Sequence, residues 1–192
     1  GARLYYCAVN YSYYIVHPFE IFNIRQGGLS IHGMIIVGIV SLYMFSKIYK
    51  ISFLKLADVF LCGTALAQSI GRWGNFFNSE AFGVPTNLPW KLYIPLSHRP
   101  VEYINFEYFH PTFLYESILD FCVFLVLLFM FKKGAREGCV ACSYLILYAI
   151  VRISVEHLRV DSVMHIAGFP VAQVVSVILL IVGIVGLIRC KN

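Results

Sequence analysis

An all-α polytopic membrane protein is the fold class predicted for this chain, on three observations. Hydrophobic residues fill 59% of its 192 positions and charged residues only 13%. The mean hydropathy is +0.76. Soluble domains carry about 25% charged residues, so a chain this poor in charge belongs in lipid. The third observation is arrangement: apolar residues gather into six runs, 4–16, 29–45, 54–70, 112–131, 139–155 and 167–188, with polar connections between them. A bilayer core of about 30 Å needs about 20 helical residues. The expectation is about six transmembrane helices in one integral membrane domain over residues 1–192, with an irregular outward-facing head over 84–109.

The first run, ending before His17 and Pro18, is shorter than a span, and the chain opens on Gly1, Ala2 and Arg3. It reads as the tail of a span cut by truncation. No basic start leads into a short apolar segment with a small-residue cleavage site, so no signal peptide is expected. The remaining five runs are long enough to cross. Residues 84–109 carry Pro85, Pro89, Pro95 and Pro100, too many breaks for a helix.

Basic residues concentrate in every second connection: Lys47, Lys50 and Lys55, then Lys132, Lys133 and Arg136, then Arg189 and Lys191. Those connections are cytoplasmic by the positive-inside rule. The opposite connections hold Glu20, Glu80, Glu102, Glu107 and Asp161 and face outward, and six spans put both ends inside. The net charge of +5 does not signal nucleic acid, because the basic residues form no stripe with interleaved aromatics.

On this topology the unusual polar residues fall on the outer side. His32 lies near the outer end of the second run, and Arg72, Asn75 and Glu80 near that of the third. His110, Tyr115 and Glu116 follow near that of the fourth, and Arg152 and Glu156 near that of the fifth. An arginine at the centre of a spanning helix costs roughly 2.5 to 3.5 kcal/mol to insert, so arginines in such runs point to a binding or catalytic site. Arg152, Glu156 and Arg159 are spaced by four and then three, so the carboxylate can pair with either arginine along one helical face.

The densest stretch is residues 71–83, where Gly71, Arg72, Gly74, Asn75, Phe76, Asn78, Glu80 and Gly83 stand at fixed intervals. They satisfy every fixed position of a pattern that resembles the signature of the bacterial prolipoprotein diacylglyceryl transferases. Upstream, Gln26, Gly27, Gly28, Leu29, Ser30, Ile31, His32 and Gly33 resemble that family's glycine-rich lead into an essential histidine. Downstream, His110, Pro111 and Thr112 with Leu114, Tyr115 and Glu116 are similar to a third block, and Tyr148, Arg152, Glu156, Arg159 and Asp161 to a fourth. The family normally carries a further span before this point, seven in all. Met34, Phe113 and Val160 stand where the family usually has glycine, glutamine and proline.

What the resemblance implies is transfer of the diacylglyceryl group of phosphatidylglycerol to the lipobox cysteine thiol of a prolipoprotein signal peptide, forming a thioether and releasing glycerol phosphate. It also implies a bacterial cytoplasmic (inner) membrane setting with the site on the extracytoplasmic side. The implied catalytic residues are His32, Arg72 and Arg152, and the implied substrate-binding residues are Asn75, Asn78, Glu80, Gly83, Tyr115, Tyr148, Glu156 and Arg159. Arginine suits an anionic phosphodiester because it binds phosphate in a bidentate, permanently charged way. Asn75 and Asn78 supply neutral donors, and Glu80 and Glu156 orient the arginines. His32 is the candidate base, since a pKa of about 6.5 leaves imidazole mostly neutral at pH 7. The scheme calls for no cofactor and no metal.

Blander readings apply elsewhere. A transporter or channel could use the same outward cluster as an anion-binding vestibule, but it should show repeats and polar residues running through to the cytoplasmic side. Here the cytoplasmic halves of the runs are nearly featureless. Cys139 and Cys142 read as small packing residues, and Cys7, Cys62, Cys122 and Cys190 as apolar fill. His17, His98, His157 and His165 have no ligand spacing and read as surface residues. Gly27, Gly28, Gly33, Gly71, Gly74 and Gly83 are expected to permit close approach of helices or loops.

Overall fold

The computed structural model describes residues 1–160, 165–166 and 169–191. Asp161 and the side chain of His165 lie outside the described residues. The chain divides into two compact units, Gly1–Leu56 and Ala57–Asn192. Among the described residues five helices are long and apolar enough to cross a membrane and strands are few, so the chain is an all-α, multi-pass membrane protein.

In the first unit the opening apolar run is not one helix. It forms α1 (Ala2–Val9) and α2 (Tyr11–Val16), broken at Asn10, whose φ of −104° and ψ of 37° leave the helical region. Six expected spans thus become five. Arg3 is the anchor of this unit. Its guanidinium donates to the carbonyls of Glu20, Ile21, Asn23, Gly27 and Gly28, which ties two short 3-10 turns, Pro18–Phe22 and Ile24–Gln26, back onto α1. Helix α3 (Ile31–Tyr49) starts after Ser30 and ends at Lys50. There a left-handed φ of 54° turns the following N–H, that of Ile51, back onto the Ser46 carbonyl at 3.1 Å.

The second unit holds the longer hydrophobic core. Helix α4 (Phe53–Phe77) begins just before it, and α5 (Thr112–Lys132), α6 (Cys139–Glu156) and α7 (Val171–Lys191) follow. Cys62 and Ala65 of α4, Val123 and Leu127 of α5, and Val140 and Tyr144 of α6 form one buried cluster. Helices α4 and α5 are also joined by a reciprocal pair of hydrogen bonds. The Ser69 hydroxyl donates to the Ser117 carbonyl and the Ser117 hydroxyl to the Ser69 carbonyl, each at 2.8 Å. Small hydroxyl residues of this kind let helix backbones approach and bond across an apolar interface. Against α6, α7 presents Gly183, where a Cβ would lie 2.7 Å from Ile146 Cγ1 and 2.9 Å from the Cys142 carbonyl. Cys142 packs directly on α7, where a Cβ at Gly186 would lie 2.5 Å from its Sγ.

The far half of α4 is not featureless either. Asp58, 4% exposed, accepts hydrogen bonds from the backbone N–H of Gly138 and Ala141, both at 2.7 Å. It therefore caps the N-terminus of α6 from another helix, where orphan N–H groups and the positive end of the helix dipole favour an anion. Asp58→Ala is expected to cost at least about 2 kcal/mol, the scale of a lost charged cap. Asp58→Asn should keep part of it. Thermal unfolding in detergent measures this, and an unchanged midpoint for Asp58→Ala would show that the cap contributes nothing.

Residues 84–109 form short strands and 3-10 turns in place of a helix. Strand β1 (Leu92–Tyr93) pairs antiparallel with β2 (Tyr108–Phe109), and Pro85 bridges to Phe109. Pro95 and Pro100 each precede a 3-10 turn, Leu96–His98 and Val101–Tyr103. Phe82, Ile94 and Phe109 are buried together as a small core of their own. A second two-stranded ladder, β3 (His165–Ile166) with β4 (Phe169–Pro170), precedes α7.

Candidate active site

The signature segment occupies the last turns of α4 and the bend after it. Gly71, Gly74, Asn75 and Asn78 stand at intervals of three, one and three, which places them on one helical side. Contrary to the expectation of close packing, a Cβ at Gly71 or Gly74 would meet nothing within 4 Å, and the same holds at Gly27. Among the described residues the Asn75 and Asn78 side chains make no hydrogen bond, so their amides are available to a ligand beside an open glycine surface. The chain then bends through Ser79 and Ala81, two non-glycine residues with φ of 54° and 53°. Such conformations are uncommon and persist where surroundings impose them. Here the Glu80 N–H donates to the Asn75 carbonyl at 2.9 Å, and the Thr112 hydroxyl donates to the carbonyl of buried Ala81.

The bend delivers Gly83 into a slot between two other segments. Its N–H donates to the His110 carbonyl at 2.8 Å, and it pairs across to Arg159. A Cβ there would lie 2.7 Å from the Leu158 carbonyl oxygen, 2.8 Å from Thr112 Cγ2 and 2.9 Å from His110 Cβ. Neither the carbonyl nor the Cβ can swing away. Gly83→Ala is expected to cost about 1 to 3 kcal/mol, the usual penalty for overpacking. Turnover should fall with it, because the backbone bridge beside Arg159 opens. Unfolding midpoint and turnover measured side by side check this, and wild-type values for both would remove Gly83 from the site.

Three helices bring their charges together at one buried carboxylate. Glu116 on α5, 2% exposed, takes Arg152 of α6 on Oε1 at 3.0 Å and Arg159 on the same oxygen at 3.2 Å. Its Oε2 faces Arg72 Nε of α4 at 2.6 Å. Arg152 also reaches Glu156 one turn along α6 at 2.7 Å. Asp120, one turn beyond Glu116, lies 3.9 Å from Arg72 Nε. Formal charges balance, with Arg72, Arg152 and Arg159 against Glu116, Glu156 and Asp120. Hydrogen bonding does not. Glu116 Oε2 and Asp120 Oδ2 are buried without a hydrogen-bond partner among the described residues. Arg72 correspondingly meets the hydrogen-bond geometry with none of the described residues; its Nε is fixed by charge against Glu116, which leaves the terminal NH2 groups for a ligand.

The structure therefore brings Arg72, Arg152, Glu156 and Arg159 together and seats Gly83 beside them. Glu80 is a correction to the expected arrangement: it is exposed, and among the described residues no arginine pairs with it. The orienting carboxylates are Glu116, Glu156 and Asp120. The Tyr115 hydroxyl is engaged by Trp90 Nε1 at 2.8 Å and lies 3.3 Å from His110 Nδ1. Tyr148 stacks on Tyr144 with centroids 5.8 Å apart, and the Tyr144 hydroxyl donates to Gln68 at 2.8 Å. Phe113 packs against Trp73 and Phe76, with centroids at 5.8 and 5.2 Å. His32 belongs to the first unit, where it is exposed in the first turn of α3 with its ring 6.0 Å from that of Tyr5. Sequence reasoning noted Glu116 without a role and passed over Asp120. The available signal was two acids four residues apart inside an otherwise apolar span.

A family model described as prolipoprotein diacylglyceryl transferase matches residues 1–189. The chain belongs to this family. The phosphatidylglycerol–prolipoprotein diacylglyceryl transferase of Synechocystis sp. is 47% identical, over 98% of this chain and 68% of its own length. The enzyme of the same name from Synechococcus elongatus is 47% identical over 98% of this chain and 67% of its own length. That of Thermotoga petrophila is 47% identical over the whole of this chain and 66% of its own length. Within the family frame, the four sequence blocks fall at the bend after α4, at the start of α5, at the end of α6 and at the start of α3.

Proposed function

We propose that this chain is a phosphatidylglycerol–prolipoprotein diacylglyceryl transferase, acting in the bacterial cytoplasmic membrane with its site toward the extracytoplasmic side. The thiol sulfur of the lipobox cysteine attacks the glyceryl carbon that bears the phosphate ester. A C–S bond forms, the C–O bond to phosphate breaks, and glycerol phosphate leaves with the bonding electrons while the thiol proton passes to a base. The observation that carries this reading is Arg72, held at 2.6 Å from Glu116 yet with no hydrogen bond among the described residues. A phosphodiester supplies the acceptors such a guanidinium needs. Arg152 strengthens the field on the same carboxylate, Asn75 and Asn78 add neutral donors, and His32 is the base.

Negative charge grows on the leaving phosphate as the C–O bond breaks, and fixed donors aimed at growing charge are where electrostatic catalysis is strongest. Glu116 and Asp120 keep Arg72 from relaxing toward water, so it needs little reorganisation when the charge develops. The test is a mass-spectrometric lipidation assay with the chain in nanodiscs, phosphatidylglycerol and a lipobox peptide. A diacylglyceryl adduct on the peptide cysteine that vanishes with Arg72→Ala supports the reading. Absence of an adduct with phosphatidylglycerol and the lipobox peptide, in nanodiscs and in detergent alike, would overturn it.

A further inference from the structure

Beside the charge cluster runs a chain of polar side chains whose direction can be worked out. Trp90 Nε1 lies 2.8 Å from the Tyr115 hydroxyl, and that hydroxyl lies 3.3 Å from His110 Nδ1. An indole N–H is a donor only, so the phenolic oxygen accepts from Trp90. The phenol's own hydrogen then needs an acceptor, and His110 Nδ1 is the one that the described residues offer. A hydrogen on Nδ1 instead would aim two donors at one phenolic oxygen and leave the phenol hydrogen without an acceptor among the described residues. The consistent order is Trp90 to Tyr115 to His110, each donating to the next, and aligned chains of this kind strengthen one another. A neutral imidazole carries one N–H, so with Nδ1 accepting, the hydrogen sits on Nε2.

From this we infer that His110 is a further catalytic residue of the transfer reaction: a neutral imidazole, held by Trp90 and Tyr115, that donates its Nε2–H to the lipid phosphate as glycerol phosphate leaves. This rests on the reading under Proposed function. Placement supports it. The His110 N–H donates to the Val84 carbonyl at 3.1 Å, and its carbonyl accepts from Gly83. On the opposite side of the same two residues, Val84 N–H donates to the Leu158 carbonyl at 2.9 Å and Gly83 pairs with Arg159. His110 and Arg159 thus flank one short segment, and the Arg159 guanidinium already stands in the charge cluster. A neutral donor adds hydrogen bonding there without adding charge to a balanced set. It also divides the two histidines by chemistry: His110, with its hydrogen on Nε2, stabilises the leaving group, and His32 takes the thiol proton.

The test has a spectroscopic arm and a kinetic arm. Nitrogen NMR on the histidine-labelled protein in nanodiscs, with the His110 signals assigned by their loss in His110→Gln, is expected to show hydrogen on Nε2 and an unprotonated Nδ1. Trp90→Phe should convert that to a mixture of tautomers. In the lipidation assay His110→Ala should lose about 100- to 1,000-fold in kcat, the usual effect of removing one such donor. His110→Gln places an amide N–H near the Nε2 position and should recover at least about tenfold of that loss, which a merely structural histidine would not show. Hydrogen on Nδ1, a doubly protonated ring at pH 7, or His110→Ala turning over like wild type would each overturn the assignment. If wild type itself transfers nothing from phosphatidylglycerol, the underlying reading fails instead, and the tautomer measurement still stands on its own.

Discussion

Glu116→Ala should destabilise the protein by about 3 to 5 kcal/mol, the cost of removing one partner from a buried ion pair and leaving the other uncompensated. Glu116 is 2% exposed and holds Arg72, Arg152 and Arg159 at 2.6, 3.0 and 3.2 Å. Its loss leaves Arg152 with Glu156, but Arg72 with nothing nearer than Asp120 at 3.9 Å. Whole domains are stable by only about 5 to 15 kcal/mol, so this change is a large fraction of the total. The unfolding midpoint in detergent should drop steeply, and lipidation should fall with it. Adding Arg72→Met to Glu116→Ala removes the stranded Arg72 cation. The double variant should regain part of the midpoint, because residues in one network do not add independently, yet regain no activity. Equal midpoints for the single and double variants would show that the Arg72 pair contributes no stability.

The fold was legible where one signal dominates. Runs 29–45, 54–70, 112–131, 139–155 and 167–188 are apolar over a span's length, and in lipid no alternative to a helix satisfies their backbone. The first run misled because apolar composition does not encode continuity. Asn10 breaks it, and Arg3 binds five carbonyls that a straight helix would have carried past. Half of the site could also be read. Arg72, Arg152, Glu156 and Arg159 are costly residues in apolar surroundings, and spacing already allowed Glu156 to pair with Arg152 or Arg159. Which carboxylate joins the helices could not be read, because Glu80 and Glu116 both stand near a helix end at matching depth. Only tertiary packing decides that Glu80 turns out at the strained bend while Glu116 turns in. Asp58 escaped notice for the same reason, as its partners lie 80 and 83 residues away.

Arg72→Ala is expected to lower turnover more than His32→Ala, and the ranking follows from what each group can contribute. A thiol with a pKa of about 8.5 lies about 1.5 units above neutral pH, so a base that ionises it completely recovers only about 2 kcal/mol. Removing one preorganised donor to a developing anion costs about 2.7 to 4 kcal/mol, or 100- to 1,000-fold in rate. Arg72 has more to lose than a neutral donor, since it carries a full charge held in place through Nε by Glu116. Raising the pH separates the two roles. As bulk hydroxide takes over the thiol proton, the His32→Ala defect should shrink toward wild type between pH 7 and 9, because the substrate then ionises without help. The Arg72→Ala defect should stay constant over that range, because phosphate departure is no easier in base. Lipidation rates for the two variants across that range decide the point. Equal losses at pH 7, or an Arg72→Ala defect rescued by alkali, would contradict this division of labour and place the arginine in thiol activation instead.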